Sequence, residues 1–215
     1  MAVLLHIDSS SLGSASVSRQ VAQSFLAEWQ GEVVHRDLAA QPVPHLTAAG
    51  ITARTTPAEN RTADEADAAA IQDELINEIL AADAYLFTVP LYNYSMPSVF
   101  KAWLDQVLVP GRTLGFGPEG AATAGRPAVL ISARGGGYGP GTPNHGKDFA
   151  VPALEVILGD PKILGMDVRV ITPELTYAPT MPALAELIPL HEASMEASHR
   201  EAQAQAQALT ASLAA

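Results

Sequence analysis

Five short apolar runs recur along this chain: Val3 to Ile7, Glu32 to Leu38, Ala84 to Val89, Pro127 to Ser132 and Asp167 to Thr172. Segments with apolar residues at helical spacing separate them. Runs this short and rich in Val, Ile and Leu read as strands, and near-continuous apolar character reads as burial on both faces. Parallel strands cannot be joined by tight turns; they need crossovers, which the intervening helices supply with one hand. The pattern therefore predicts an α/β fold: a doubly wound five-stranded parallel sheet with helices on both faces. Two strand orders are common for such sheets, the dinucleotide-binding one and the flavodoxin-like 2-1-3-4-5, and their first loops distinguish them. No Gly/Ser linker or charge block divides the 215 residues, so 1–215 is expected to be a single domain.

Between the strands, Val21, Ala22, Phe25, Leu26 and Trp29 mark a first helix. Thr62 to Ala82 carries Ala69, Leu75, Ile76, Ile79 and Leu80 on one face, with acidic residues gathered toward its start as the helix dipole favours. A third helix follows Pro97 and stops at Pro110-Gly111-Arg112; a fourth spans about Phe149 to Leu164, with an interruption near Gly159-Asp160-Pro161. The tail from Pro182 is rich in Ala, Glu and Gln and predicts one long helix, bent near Pro189. Two long connections, Gln41 to Asn60 and Thr113 to Arg126, read as coverings of a site, the first as a flap and the second as a roof over a substrate pocket.

Charge narrows the partners. Twelve basic against twenty-three acidic residues leave a formal net charge of -11, a field that disfavours nucleic acid and anionic membranes. An anionic cofactor must then be held by local donors. Cysteine is absent, which excludes disulfides, thiol chemistry and thiolate-bound metals. Met1 to Asp8 lacks a basic stretch and is too short an apolar run for a signal or anchor, so a cytoplasmic protein is expected.

Three loops fall at the carboxyl ends of predicted strands, where open α/β sheets bind ligands. After the first strand comes Asp8-Ser9-Ser10-Ser11-Leu12-Gly13-Ser14-Ala15-Ser16-Val17-Ser18, which lacks both the Gly-x-Gly-x-x-Gly of dinucleotide sites and a Walker lysine. It offers instead hydroxyls at Ser10, Ser16 and Ser18 beside the free N–H groups of a helix start, a combination suited to a phosphate monoester. Ser16 alone also fits an ordinary helix N-cap. The third predicted strand ends in Pro90-Leu91-Tyr92-Asn93-Tyr94-Ser95-Met96-Pro97, a proline-bracketed aromatic turn, and the fourth in Ala133-Arg134-Gly135-Gly136-Gly137-Tyr138-Gly139, whose glycines allow backbone amides to approach a planar ligand edge. Phosphate donors, aromatic walls and backbone amides at successive strand ends suit one phosphorylated, flat, partly polar cofactor.

In these blocks, and in Lys101-Ala102-Trp103-Leu104-Asp105 downstream of the second, the chain resembles the FMN-dependent NAD(P)H azoreductases and quinone reductases of flavodoxin-like fold. The resemblance extends over nearly the whole chain in spacing. It implies that Ser10, Ser16, Val17 and Ser18 hold the FMN phosphate, that Leu91, Tyr92, Asn93 and Tyr94 line the isoalloxazine, and that Ala133, Arg134, Gly135 and Gly136 meet its pyrimidine edge. It further implies two-electron ping-pong transfer from NADH or NADPH, through bound FMN, to a quinone or azo compound. The flavin carries the chemistry, and no side chain is assigned as catalytic; Tyr92, Tyr94, Arg134 and His145 are candidates for substrate or flavin-tuning contacts. A homodimer is implied as well, with Phe100 and Trp103 of the third helix as a candidate contact. Ala15 stands where members often have an aromatic and Asp8 where some have a basic residue; Asp8 is expected to point away from the phosphate or to bond neighbouring amides.

Two other functions share parts of this pattern. An electron-carrier flavodoxin would share fold, acidity and FMN. A serine hydrolase using Ser10 needs a base, and the Asp-x-x-His that such enzymes carry late in the chain is missing, since Ile188 and Glu196 stand three residues before His191 and His199. Of the histidines, His6 and His35 sit on strands and read as satisfied core or edge groups and not as ligands, His191 and His199 as solvent-facing residues of the tail helix, and His145, after the glycine loop, as the one placed to touch substrate. No metal-ligand spacing is present.

Overall fold

The computed structural model describes residues 1–117 and 120–214. Its five strands, β1 (Val3–Asp8), β2 (Glu32–Asp37), β3 (Ala84–Thr88), β4 (Pro127–Ile131) and β5 (Asp167–Ile171), pair in parallel in the order β2-β1-β3-β4-β5. That is the flavodoxin-like order, the one of the two candidate orders that a first loop without a dinucleotide fingerprint favours. The α-helices are α1 (Val17–Glu28), α2 (Ala48–Ala53), α3 (Ala63–Ala81), α4 (Ser98–Val107), α5 (Val151–Gly159) and α6 (Ile188–Leu213).

Alternation along β1 divides the core between the two faces of the sheet. Leu5 and Ile7 pack on one face with Leu75, Ile76 and Ile79 of α3, Phe100 and Trp103 of α4, and Leu154 and Leu158 of α5. Leu4 faces the other way, with Val21 and Phe25 of α1, Trp29 just past its end, and Ala202 and Ala206 of α6. Small residues on α6 let it lie close against α1 and the sheet. α3 starts cleanly because Thr62 and Glu65 form a reciprocal cap: the Thr62 hydroxyl accepts the Glu65 N–H at 3.3 Å and the Glu65 carboxylate accepts the Thr62 N–H at 2.9 Å.

Several expectations are corrected. Phe100 and Trp103 are fully buried, with ring centroids 5.4 Å apart and both rings against Phe87, so they are core residues and cannot form a subunit contact. Gln41 to Asn60 is no flap. It contains α2 and a short 3-10 turn, and α3 and α4 strap it down: the Gln72 amide donates to Gly50 O at 2.9 Å, the Arg54 guanidinium to Asp105 O at 2.6 Å, and the Gln106 amide to Pro44 O at 2.8 Å. The described part of Thr113 to Arg126 lies at the amino ends of the strands, away from the ligand-binding end, with Gly125 N–H on Gly165 O and Asp167 N–H on Arg126 O; residues 118 and 119 lie outside the described residues. α5 ends at Gly159, where the Gly-Asp-Pro interruption was expected. The tail breaks earlier than expected: Pro182–Leu187 is a 3-10 turn, and α6 begins at Ile188 with Pro189 in its first turn. His191 and His199 are half-buried and bonded, to Glu174 O at 3.3 Å and to the Ser24 hydroxyl at 2.8 Å, because α6 lies against α1 and the segment after β5.

Candidate functional site

Because β1, β3 and β4 are neighbours, their carboxyl ends bring the serine loop, the tyrosine turn and the glycine loop side by side. Backbone bonds join them: Ser9 N–H donates to Thr88 O at 3.1 Å and Leu91 N–H to Ala133 O at 2.9 Å.

In the serine loop, Ser10, Ser16 and Ser18 are all buried. The Ser16 hydroxyl caps α1, accepting the Arg19 N–H at 3.4 Å, and lies 3.0 Å from the Ser18 hydroxyl. Capping and ligand-binding roles are thus compatible in one residue, because the N–H groups of Val17 and Ser18 in the first turn have no partner inside the helix. Ser10 is bonded at 3.3 Å to the Tyr92 hydroxyl and accepts the Leu12 N–H at 3.4 Å. No histidine bonds it, so the base a serine nucleophile requires is missing among the described residues.

Tyr92 to Ser95 forms a tight turn, closed by Tyr92 N–H to Ser95 O at 2.8 Å and Ser95 N–H to Tyr92 O at 2.9 Å. Both central residues are left-handed, Asn93 at φ 49° and Tyr94 at φ 68°. Asparagine tolerates that conformation; a tyrosine held there carries strain of about 1–3 kcal/mol, the kind of strain that gathers at functional sites. The turn sends its two tyrosines apart. Tyr92 reaches to the serine loop, where its hydroxyl accepts the Ser11 N–H at 3.1 Å. Tyr94 is exposed and lines a cavity of about 870 Å³.

That cavity brings together Leu91, Asn93 and Tyr94 with Gly135, Gly136 and Gly137, flanked by Tyr177, by Leu184 and Leu187 from the turn leading into α6, and by Leu190 in its first turn. The glycines permit close packing: a Cβ at 135 would fall 2.3 Å from the Tyr177 ring and force it to move, and one at 136 would fall 2.7 Å from the Asn144 amide nitrogen. Ala133 and Arg134 do not line the cavity. The Arg134 guanidinium is clasped between Asp148 Oδ2 at 2.6 Å and Glu174 Oε1 at 3.0 Å, and the same Glu174 oxygen accepts the Tyr138 N–H at 3.0 Å. Arg134 is therefore a brace for the glycine loop, its charge spent on two carboxylates. His145 is exposed and outside the lining, while its neighbour Asn144 is part of it.

Behind the serine loop, strand register assembles a polar cluster. His6 pairs with His35 across β1 and β2, and Asp8 with Asp37. Asp8 bonds no neighbouring amide, and its carboxylate is turned away from the serine-loop hydroxyls, as expected: it meets His35 Nε2 at 2.9 Å, His6 Nε2 at 3.5 Å, the Thr88 hydroxyl, and Arg19 at 3.4 Å. Burial of Asp8 opposes its ionisation, yet the His35 bond, the adjacent His6 and the Thr88 hydroxyl together hold its carboxyl far below the usual range. The bond to Asp8 raises the His35 imidazole above its ordinary value. Arg19 also grips Asp37 at 2.7 Å, lowering that carboxyl, and donates to Ser10 O at 3.0 Å.

Sequence reasoning missed two parts of this site. Leu175 (φ 59°) and Tyr177 follow β5 at its carboxyl end, so the rule that flagged the other three loops also covered this one. His6, Asp8 and His35 have no motif spacing, because register and not sequence distance unites them.

The flavodoxin-like fold family matches residues 2–186. A Streptomyces coelicolor protein named FMN-dependent NADH:quinone oxidoreductase is 45% identical over 221 residues, covering 100% of this chain and 98% of its own length. Among solved structures, an azoreductase from Bacillus anthracis str. Sterne aligns with a TM-score of 0.79 at 25% identity, over 96% of this chain and 99% of that one. A second, described as an FMN-dependent NADH-azoreductase from Bacillus anthracis str. Ames Ancestor in complex with FMN, has the same fold, with a TM-score of 0.78 at 18% identity, over 98% and 100%. The chain belongs to the flavodoxin-like family, in the group of proteins named FMN-dependent NADH:quinone oxidoreductases.

Proposed function

We propose that this protein is an FMN-dependent NADH:quinone oxidoreductase that also reduces azo compounds. The observation that carries the reading is the adjacency of a buried serine cluster at a helix N-terminus to an apolar cavity walled by Tyr94 and the Gly135–Gly136 backbone. The residues fit FMN: hydroxyls and helix-start amides match a phosphate dianion without lysine, and a glycine pair leaves main-chain N–H groups open to a ring edge. Held there, FMN would supply hydride-level, two-electron transfer between NADH and the acceptor.

The chain's own part is to bind, orient and shield. Ser10, Ser16 and Ser18, with the Val17 N–H, hold the phosphate. Leu91, Asn93 and Tyr94 support the ring, while Tyr92 ties their turn to the serine loop. Gly135 and Gly136 present main-chain donors where negative charge accumulates, and Arg134 keeps them in place through Asp148 and Glu174. The leucines of the cavity exclude water from the transfer. A small-molecule acceptor fits a concave apolar space of this size better than a partner protein would, which weighs against an electron carrier.

The reading includes a homodimer acting in the cytoplasm. Tyr94, Phe149, Tyr177, Met181 and Leu190 stand exposed around the cavity, a rim that a second subunit would cover. Among the described residues no helix is long and apolar enough to cross a membrane. The test is the cofactor released from purified protein, together with steady-state rates for NADH and a quinone. FMN and parallel double-reciprocal lines support the proposal; absent flavin affinity, or no quinone reduction by FMN-saturated protein, refutes it.

A further inference from the structure

We propose that His6, Asp8 and His35 form a binding site for one divalent transition-metal ion, best suited to Zn²⁺. The inference is independent of whether FMN binds. The two imidazoles stack with centroids 4.7 Å apart, and both present Nε2 to the Asp8 carboxylate, so one ligand atom from each residue lies within 4.8 Å of the others. The two imidazoles approach different oxygens of the carboxylate, His35 Nε2 at 2.9 Å from Oδ2 and His6 Nε2 at 3.5 Å from Oδ1, separations close to the roughly 3.3 Å between ligand atoms of tetrahedral Zn²⁺ with bonds of about 2.0–2.1 Å. Small side-chain shifts complete the geometry.

Three further observations point to a ligand. His6 is 3% exposed, yet its Nε2 makes no well-formed hydrogen bond: it is aimed at Asp8 Oδ1 from 3.5 Å, which leaves a buried ring nitrogen poorly satisfied. The Thr88 hydroxyl donates to Asp8, as outer groups do when they orient a ligating carboxylate. Charge also favours a cation. Asp8 and Asp37 carry two negative charges beside the single guanidinium of Arg19, which sits nearer Asp37 (2.7 Å) than Asp8 (3.4 Å), so a metal ion would take the place of the proton shared between His35 and Asp8. Entry is open on one side, because β2 is an edge strand and the His35 side chain is 45% exposed. Two imidazoles and one carboxylate favour zinc, cobalt, nickel or copper over magnesium or calcium. The remaining coordination position falls to water.

The test uses full-length protein without a polyhistidine tag, titrated with Zn²⁺ against a chromophoric chelator and, separately, with Co²⁺ while recording visible absorption. One equivalent of Zn²⁺ should bind, with Co²⁺ giving the intense bands of a four- or five-coordinate site. His35→Gln should weaken binding at least about tenfold and abolish those bands, while His191→Gln and His199→Gln leave both unchanged. Circular dichroism confirms that each variant is folded. Absence of stoichiometric binding to the parent protein, binding that survives His35→Gln in the folded variant, or binding lost equally with His191→Gln would overturn the assignment.

Discussion

Replacing Ser16 and Ser18 one at a time by alanine separates the two tasks of the serine loop. The Ser16 hydroxyl caps α1 through the Arg19 N–H at 3.4 Å, a long bond, so Ser16→Ala should cost folding stability about 1 kcal/mol or less. Ser18 makes no cap; its hydroxyl meets only that of Ser16, at 3.0 Å, so Ser18→Ala should cost about 0.5 kcal/mol. Toward a phosphate dianion the two lose similar amounts, since a hydrogen bond to a charged group contributes about 1.5–3 kcal/mol, or about 10- to 150-fold in Kd. The assay is quenching of flavin fluorescence on titration with FMN and, in parallel, with riboflavin, which lacks the phosphate. Both variants should bind FMN more weakly by that factor while their riboflavin affinities stay within about twofold. Equal losses for FMN and riboflavin would refute the phosphate assignment, and so would unchanged FMN affinity in both variants.

Other consequences can be measured with the same protein. Tyr94→Gly should relieve the left-handed strain, raising the urea midpoint by an amount worth about 1 kcal/mol, while removing a cavity wall and raising the KM for quinone. Arg134→Met strands Asp148 and Glu174 beside the glycine loop; discounted for their partial exposure, the loss should be about 2–3 kcal/mol in denaturant unfolding, with weakened FMN binding. Trp103→Ala should lose about 3–5 kcal/mol because the ring is fully buried, and the milder Trp103→Phe should leave the sedimentation coefficient unchanged, as expected of a core residue and not of a subunit contact.

Much of this molecule was legible before its structure. Strand positions follow from apolar runs, since a strand buried on both faces has few polar alternatives, and the order followed once the first loop lacked a dinucleotide fingerprint. The three loops were recognisable because each follows such a run. What could not be read depends on distance in space. Helical spacing in α4 says that Phe100 and Trp103 are covered, but not that Phe87 covers them. The length of Gln41 to Asn60 suggested a flap, whereas its straps come from Gln72 and Gln106, side chains far along the chain. Arg134 read as a contact for flavin or substrate, whereas its guanidinium is taken up by Asp148 and Glu174, which come from two other segments. The pairing of His6 with His35 likewise needed register.

The central claim is that this chain holds FMN where NADH can reduce it and a quinone can reoxidise it. Anaerobic rapid mixing of FMN-loaded protein with one equivalent of NADH, followed by a quinone in a second mix, tests both halves without steady-state assumptions. The account predicts loss of the yellow flavin absorbance in the first mix and its full return in the second, each at least as fast as turnover. Flavin that stays oxidised with NADH, or bleached flavin that quinone does not restore, would contradict it.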